Sequence, residues 1–155
     1  SVVPFFSKLI AENSESLPIT DVEMTRFWIT LQQGVDFVIQ SLGVMEGGEI
    51  FVPKIPSMHI LDLAKAVAPG SQVEFRGIRP GEKLHEVLVS EDESHHTLEH
   101  EKFFVITPLH SWWRSDNWQN GQPVPTGFRF SSDANTQWLS VDDLRALVDD
   151  ITQDL

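Results

Sequence analysis

Apolar residues recur along this chain in short blocks separated by polar turns. Apolar positions at helical spacing predict three helices, over residues 3–11, 29–42 and 58–68. Ser57 is the expected N-cap of the third helix, and Ser140 with Asp143 resembles a capping box that begins a final helix ending near residue 151. Short apolar runs predict strands near residues 18–20, 49–52, 73–75, 84–89 and 103–106. This alternation predicts an α/β fold with a small mixed sheet.

Two segments and the beginning of the chain depart from that pattern. Residues 91–101 are strongly polar, and residues 111–126 are rich in Trp, Asn, Gln, Gly and Pro. A connection as long as the second one is unusual in a compact domain. The chain opens on apolar residues, from Ser1 to Phe6, whereas a natural N-terminus is usually polar and loosely held. We therefore expect this chain to be a piece of a longer protein.

Charge and composition limit the classes of function. The chain has 23 acids against 11 bases, a formal net charge of −12, and no cysteine. So acidic a surface disfavours nucleic acid and anionic membranes as partners. No apolar run approaches the roughly 20 residues that span a bilayer, and the first ten residues do not form a signal peptide. Together with the missing cysteines, this favours a cytoplasmic protein.

The segment from Phe75 to Lys83 contains the most informative candidate chemistry. It places cations among glycines and a proline directly after a predicted strand. The planar fork of Arg79 suits a diphosphate, and Glu82 can accept hydrogen bonds from a pair of ribose hydroxyls. The alternative is a surface turn whose charges only pair with one another, a contribution of about 0–1 kcal/mol.

Three other groups have competing interpretations. Arg26 lies in an apolar run at a predicted helix start, where it could meet an anionic ligand or simply extend out of a packed face. His95, His96 and His100 have metal-ligand spacing, but their polar surroundings make zinc the weaker interpretation and no metal is expected. Trp112, Trp113, Trp118 and Trp138 could stack on a sugar, although core or interface packing is the more common use.

The chain also lacks the residues that redox chemistry of the short-chain dehydrogenase type requires. It has no Gly-x-Gly-x-x-Gly fingerprint, no P-loop and no tyrosine at all. A Tyr-x-x-x-Lys pair is therefore impossible here. If the whole protein is an enzyme of that type, its catalytic residues and cofactor-binding residues must both lie outside this chain.

Several blocks in order resemble one family, the UDP-N-acetylglucosamine 4,6-dehydratases of the inverting type. These enzymes are extended short-chain dehydrogenase/reductases of polysaccharide and flagellin-glycan biosynthesis. The blocks are Ser1–Phe6, Pro18–Asp21, Met24–Ile29, Gly48–Lys54, Leu61–Ala64, Gly77–Glu86 and Ser131–Asp133. The resemblance implies that this chain is the C-terminal, substrate-binding portion, with the Rossmann half absent. It also implies a division into a sugar-nucleotide-binding portion, residues 1–102, and a C-terminal extension, residues 103–155.

The resemblance also implies roles for individual residues. Arg79 would contact phosphate, Glu82 the ribose hydroxyls and Arg26 the diphosphate, with Thr25 beside it. Thr20 belongs to the strand that borders the uracil, and the last group, Ser1, Val2 and Pro4, would line the sugar-nucleotide cleft.

At the level of the whole enzyme, the resemblance implies an NADP-dependent lyase and homo-oligomer that binds a UDP-sugar. Its 4-keto-6-deoxy product would feed pathways such as that of pseudaminic acid, and this chain alone would be inactive. Two alternatives stay open: a non-catalytic binding or assembly module, and a part of an enzyme like a UDP-hexose 4-epimerase.

Overall fold

The computed structural model describes residues 2–12, 16–110, 113 and 118–153, with side chains as far as residue 150. The described residues form four α-helices, which are α1 (Val2–Ala11), α2 (Leu31–Val44), α3 (Ile60–Val67) and α4 (Val141–Gln153). Ten short strands accompany them. They are β1 (Ser16–Ile19), β2 (Thr25–Phe27), β3 (Ile50–Pro53), β4 (Ser57–His59), β5 (Gln72–Phe75), β6 (Val87–Val89), β7 (Thr97–Glu99), β8 (Phe103–Ile106), β9 (Gln122–Pro123) and β10 (Phe130–Ser131).

The strands make four small sheets. β1 and β5 are parallel, with Ile19 opposite Phe75, whereas β2 pairs antiparallel with β4 and β6 with β10. The largest sheet has four antiparallel strands in the order β3-β8-β7-β9. This mixed arrangement of helices and small sheets confirms the predicted α/β fold class. β8 begins at Phe103, so the predicted substrate portion and C-terminal extension share a sheet.

Two apolar cores hold these elements together. In the first, α1, α3, α4 and β1 bury large side chains that include Phe6, Ile19, Leu63 and Leu144. The second lies on the four-stranded sheet and combines aliphatic with aromatic side chains, with the rings of Phe104 and Phe130 5.1 Å apart. Tilted ring pairs at this separation gain from quadrupole interactions as well as from apolar burial.

The predicted start of the final helix is confirmed, α2 begins two residues after the predicted Ile29, and the predicted start of the third helix is wrong. Thr30 and Gln33 cap α2 reciprocally, and at α4 the Asp143 N–H donates to Ser140 Oγ at 3.2 Å while Ser140 Oγ donates to the Asp143 carboxylate at 2.6 Å. The prediction of Ser57 as an N-cap is wrong. Ser57 is fully buried in β4, where it pairs with Phe27, and α3 begins only after His59. Pairing of β4 with β2 makes residues 57–59 extended, although the apolar pattern had assigned residues 58 and 59 to a helix.

The predicted strand over residues 84–89 is shorter than expected. Only Val87–Val89 is extended and paired, whereas the Leu84 carbonyl accepts a hydrogen bond from the Thr25 N–H at 3.1 Å. Leu84 and its neighbours therefore form the end of a turn and not the start of a strand.

No helix among the described residues is long and apolar enough to cross a membrane.

His100 belongs to the aromatic packing of the C-terminal extension. Its ring stacks on Phe103 at 5.1 Å and meets Trp118 edge-on at 5.5 Å. Its buried Nε2 has no hydrogen-bond partner among the described residues. Burial, with a smaller contribution from the Lys54 charge, lowers the pKa of His100 below its usual 6.5. Folding therefore favours the neutral form of the His100 imidazole over the charged form.

This position predicts a pH-dependent stability. Between the lowered pKa and 6.5 the unfolded chain binds a proton that the folded chain does not, so stability falls as the pH drops below about 6.5. His100→Phe should flatten the dependence of the thermal unfolding temperature on pH between 7.5 and 5.5. An equal slope in the two proteins would show that His100 does not carry the effect.

Candidate functional site

The turn between β5 and β6 is shaped by a backbone hydrogen bond to β1 and by two glycines with positive φ. The Arg76 N–H donates to the Ile19 carbonyl at 2.9 Å, which extends the parallel pairing of β1 and β5 into the turn. Gly77 and Gly81 have φ values of 77° and 83°, a left-handed conformation that favours glycine. The turn over residues 76–86 therefore begins at the end of the parallel strand pair β1–β5 and forms an ordered loop.

Three of the predicted residues meet in this turn. The Glu82 N–H donates to the Arg79 carbonyl at 3.0 Å, and the Arg79 N–H donates to Glu82 Oε2 at 3.2 Å. Thr20 Oγ1, directly after β1, donates to Glu82 Oε1 at 3.3 Å. The Glu82 carboxylate is half-buried and oriented, whereas the Arg79 side chain is exposed. An oriented acceptor beside an available guanidinium is an arrangement that can bind a polar anionic ligand.

Arg26 lies on strand β2 and not at a helix start, so the predicted local structure is wrong here. Pairing of β2 with β4 fixes the backbone as extended, with Arg26 opposite Met58. The Arg26 guanidinium donates to the carbonyl oxygens of Thr25, Leu84 and Lys83 at 2.7, 3.1 and 2.8 Å. Its Nε lies 3.5 Å from the Glu86 carboxylate. Arg26 thus fastens the far end of the turn to β2.

Thr25 is the buried neighbour of this clamp, only 2% exposed. Its Oγ1 lies 2.8 Å from His85 Nδ1 and 2.7 Å from Ser132 Oγ, and Ser132 in turn accepts from the Glu86 N–H at 2.9 Å. The hydroxyl network joins β2, the turn and the segment after β10. His85 and Ser132 were not among the predicted site residues, although both lie in sequence blocks that resemble the family.

A cavity of about 340 Å³ lies where α1 approaches β2. Its walls are mainly apolar and include one cation, and they are formed by Val2, Val3, Pro4, Arg26, Phe27, Trp28, Ile29, Met58 and Leu63. Trp28 is 8% exposed, and its Nε1 has no acceptor among the described residues. The predicted residues Val2, Pro4 and Arg26 are therefore brought together, whereas Ser1 lies outside the described residues.

The predicted site thus has two parts with Arg26 between them. Thr20, Arg79 and Glu82 form one part in the turn, and Val2 and Pro4 belong to the other, at the cavity. Arg26 takes part in both, because it lines the cavity and holds the turn. The sequence blocks named these residues but did not indicate that one guanidinium links them.

His100, Trp118 and Trp138 pack against, or hydrogen-bond to, other side chains of the protein. His100 packs in the aromatic cluster, Trp138 stacks on His59 at 4.7 Å, and Trp118 Nε1 donates to Glu49 at 2.9 Å. Trp112 lies outside the described residues. Within the described ranges, no group of three or more His, Asp or Glu side chains is placed to hold a metal ion.

Comparison with a protein-family model gives the context of this site. Residues 1–108, which include every residue of both parts of the site, match the family described as polysaccharide biosynthesis protein. The chain belongs to this family.

Two relatives and one solved structure extend the comparison. A protein of Campylobacter jejuni named UDP-N-acetylglucosamine 4,6-dehydratase (inverting) is 50% identical over 96% of this chain and 46% of its own length. A UDP-glucose 4-epimerase of Rickettsia bellii is 40% identical over 60% of this chain and 28% of its own length. The solved structure of Pen from Bacillus thuringiensis matches 98% of this chain and 46% of its own, with a TM-score of 0.79 and 30% identity.

These comparisons confirm the resemblance found in the sequence blocks. The chain spans about half the length of the curated dehydratase relative and of Pen. The fold is accordingly one that is also found within a longer polypeptide.

Removal of the Thr25 hydroxyl should destabilise the protein. Thr25→Val keeps the shape of the side chain but removes the hydroxyl that bonds the half-buried His85 Nδ1 and the buried Ser132 Oγ, which then keeps only its bond from the Glu86 N–H. We therefore expect the free energy of unfolding to fall by about 1–3 kcal/mol. Thr136→Val, at an exposed threonine, is the matched control and should change it by less than about 0.5 kcal/mol. Chemical denaturation measures both, and equal effects would contradict a structural role for the network.

Proposed function

We propose that this chain is the UDP-sugar-binding part of a UDP-N-acetylglucosamine 4,6-dehydratase. The observation that carries the proposal is the turn in which Thr20 orients Glu82 beside the exposed Arg79. The proposal is supported by the 50% sequence identity to the Campylobacter jejuni dehydratase over 96% of this chain. The acidic chain needs a local cation to attract a nucleotide diphosphate, and this turn provides one.

The residues of the turn have distinct proposed roles. Arg79 donates to the diphosphate through its planar guanidinium, which suits bidentate contact with phosphate oxygens. Glu82 accepts hydrogen bonds from the ribose hydroxyls, and Thr20 keeps its carboxylate in place. The strand that ends at Ile19 borders the uracil.

Arg26 and the cavity complete the proposed site. Arg26 holds the carbonyls of Lys83 and Leu84, so it positions the turn and brings a positive charge to the cavity. We propose that this charge faces the diphosphate. Val2 and Pro4 form the apolar wall of the sugar-nucleotide cleft. The roles expected for Ser1 in that cleft and for Thr25 beside Arg26 stay predictions.

The redox chemistry belongs to the rest of the longer protein. Bound outside this chain, NADP would supply the hydride chemistry of the dehydration, in which oxidation at C4 of the sugar is balanced by reduction at C6 and one water is lost across C5 and C6. This chain contributes binding and orientation and contains no tyrosine for proton transfer, so residues 1–155 alone are expected to be inactive. We further propose that the enzyme is a cytoplasmic homo-oligomer, and that its product enters deoxysugar synthesis of the pseudaminic-acid type.

Loss of either polar contact should weaken ligand binding in the full-length protein. Arg79→Ala and Glu82→Gln each remove a charge-assisted hydrogen bond of about 1.5–3 kcal/mol, or about 10–150-fold in the Kd of UDP. Arg76→Ala is the matched control, because Arg76 lies in the same turn but pairs with Glu74 at 3.0 Å. Calorimetric titration with UDP measures all three, and equal Kd values for wild type and Arg79→Ala would refute the phosphate role.

Product analysis distinguishes the dehydratase from its alternatives. The similarity to a UDP-glucose 4-epimerase over 60% of the chain makes epimerisation the second candidate. With UDP-N-acetylglucosamine and NADP, the full-length dehydratase should release a keto sugar nucleotide that is lighter by one water. A product of unchanged mass would instead indicate an epimerase. Binding of UDP with no turnover at all would favour the non-catalytic module.

A further inference from the structure

Helix α2 has an apolar face that nothing in the described structure covers. None of its residues is buried, whereas the shorter α3 buries four. Its large apolar side chains are strongly exposed, up to 86% for Leu31 and 63% for Leu42. The sequence pattern had predicted an amphipathic helix, and the face is present without a partner. So large a contiguous apolar surface is typical of an interaction site.

The apolar face is a continuous stripe along one side of the helix. We define the α2 stripe as Leu31, Val35, Val38, Ile39 and Leu42, which recur at spacings of three and four residues. Gln40 lies on the opposite side of the helix. Gln32 donates to Asp36 at 2.8 Å along the flank of the stripe. All charge on the helix is thus excluded from the stripe.

A different side of α2 faces the body of the protein. Phe37 is half-buried and meets the ring of Phe103, on β8, at 6.2 Å and nearly edge-on. Because Phe37 is rotated away from the stripe on a helix of 3.6 residues per turn, packing on β8 leaves the stripe free. An apolar groove of about 480 Å³ runs along it, lined by Ile29, Leu31, Gly34, Val35, Val38 and Ile39 together with Thr30.

The position of this groove indicates what covers it. Ile29 lines both the groove and the cavity formed by Val2, Val3 and Pro4, so the apolar surface runs from α2 to the first described residues of the chain. The dehydratase relative and Pen are each about twice as long as this chain. We propose that the α2 stripe packs against the part of the longer protein that precedes Val2. This inference depends on neither the nucleotide nor the reaction.

Site-specific photo-crosslinking in the full-length protein tests the proposal. Benzoylphenylalanine replaces Val38 in the stripe or, as the matched control, Gln40 on the opposite side of the same helix. Irradiation followed by peptide mass spectrometry should locate crosslinks from position 38 to residues that precede Val2. Their yield should exceed that from position 40 by at least about fivefold.

Two results would overturn the proposal. Crosslinks from position 38 between two chains, seen as a covalent dimer, would assign the stripe to a second copy. Equal yields from positions 38 and 40 would show that no segment covers it. Val38→Glu and Gln40→Glu provide an independent measurement, since only the first should lower the thermal unfolding temperature of the full-length protein. UDP binding serves as a separate readout, so failure of this inference can be distinguished from failure of the proposed function.

Discussion

The hydrogen bonds that Arg26 and Thr25 make to the turn over residues 76–86 are the constraint on which the site depends. β2 carries both side chains, one donating to the carbonyls of Lys83 and Leu84 and the other bonded to His85 and Ser132. These contacts span about sixty residues of sequence toward the turn and more than a hundred toward Ser132. The Arg76 and Thr20 contacts hold the first part of the turn to β1, and without Arg26 and Thr25 its far end would lose its connection to β2 and to the cavity beside α1. A buried hydroxyl network is costly when it is incomplete, so it also fixes which segments must meet.

The distribution of charge gives this turn its importance. A chain with a net charge of −12 repels a nucleotide diphosphate everywhere except near its few cations. Several of those cations form ion pairs at the surface, such as Arg129 with Asp133 and Arg145 with Asp142. Arg26 is held by carbonyl oxygens and by Glu86, and the Arg79 backbone is held by Glu82 while its side chain extends outward. The same carboxylate thus orders the turn and remains able to accept a ligand hydroxyl.

Residues after 103 also contact the elements around the site. β10 pairs with β6, which follows the turn directly, and Asn135 donates to the Ile55 carbonyl and to Ser57 Oγ at the start of β4. The core around Phe104 and Phe130 includes Val89 of β6, and Phe27 of β2 packs against it, so it supports the strand that follows the turn and the strand that holds Arg26. Trp118 packs edge-on against Phe51, Trp113 donates to the Gly47 carbonyl and Trp138 stacks on His59. Sugar stacking is not needed to account for Trp118.

The sequence alone determined the helices with clear periodicity and caps, the strand at 103–106, and the residues of the Arg-Pro-Gly-Glu turn. Local chemistry is sufficient for these, because a capping box, a left-handed glycine or an apolar stripe depends on residues a few positions apart. Only the tertiary structure decided that Ser57 and Arg26 lie on paired strands, since pairing of β2 with β4 joins segments about thirty residues apart and overrides local helix signals. It likewise decided that Thr25, His85 and Ser132 meet, and that the apolar face of α2 is uncovered. Long-range pairing and burial set these features, and no short window of sequence contains both partners.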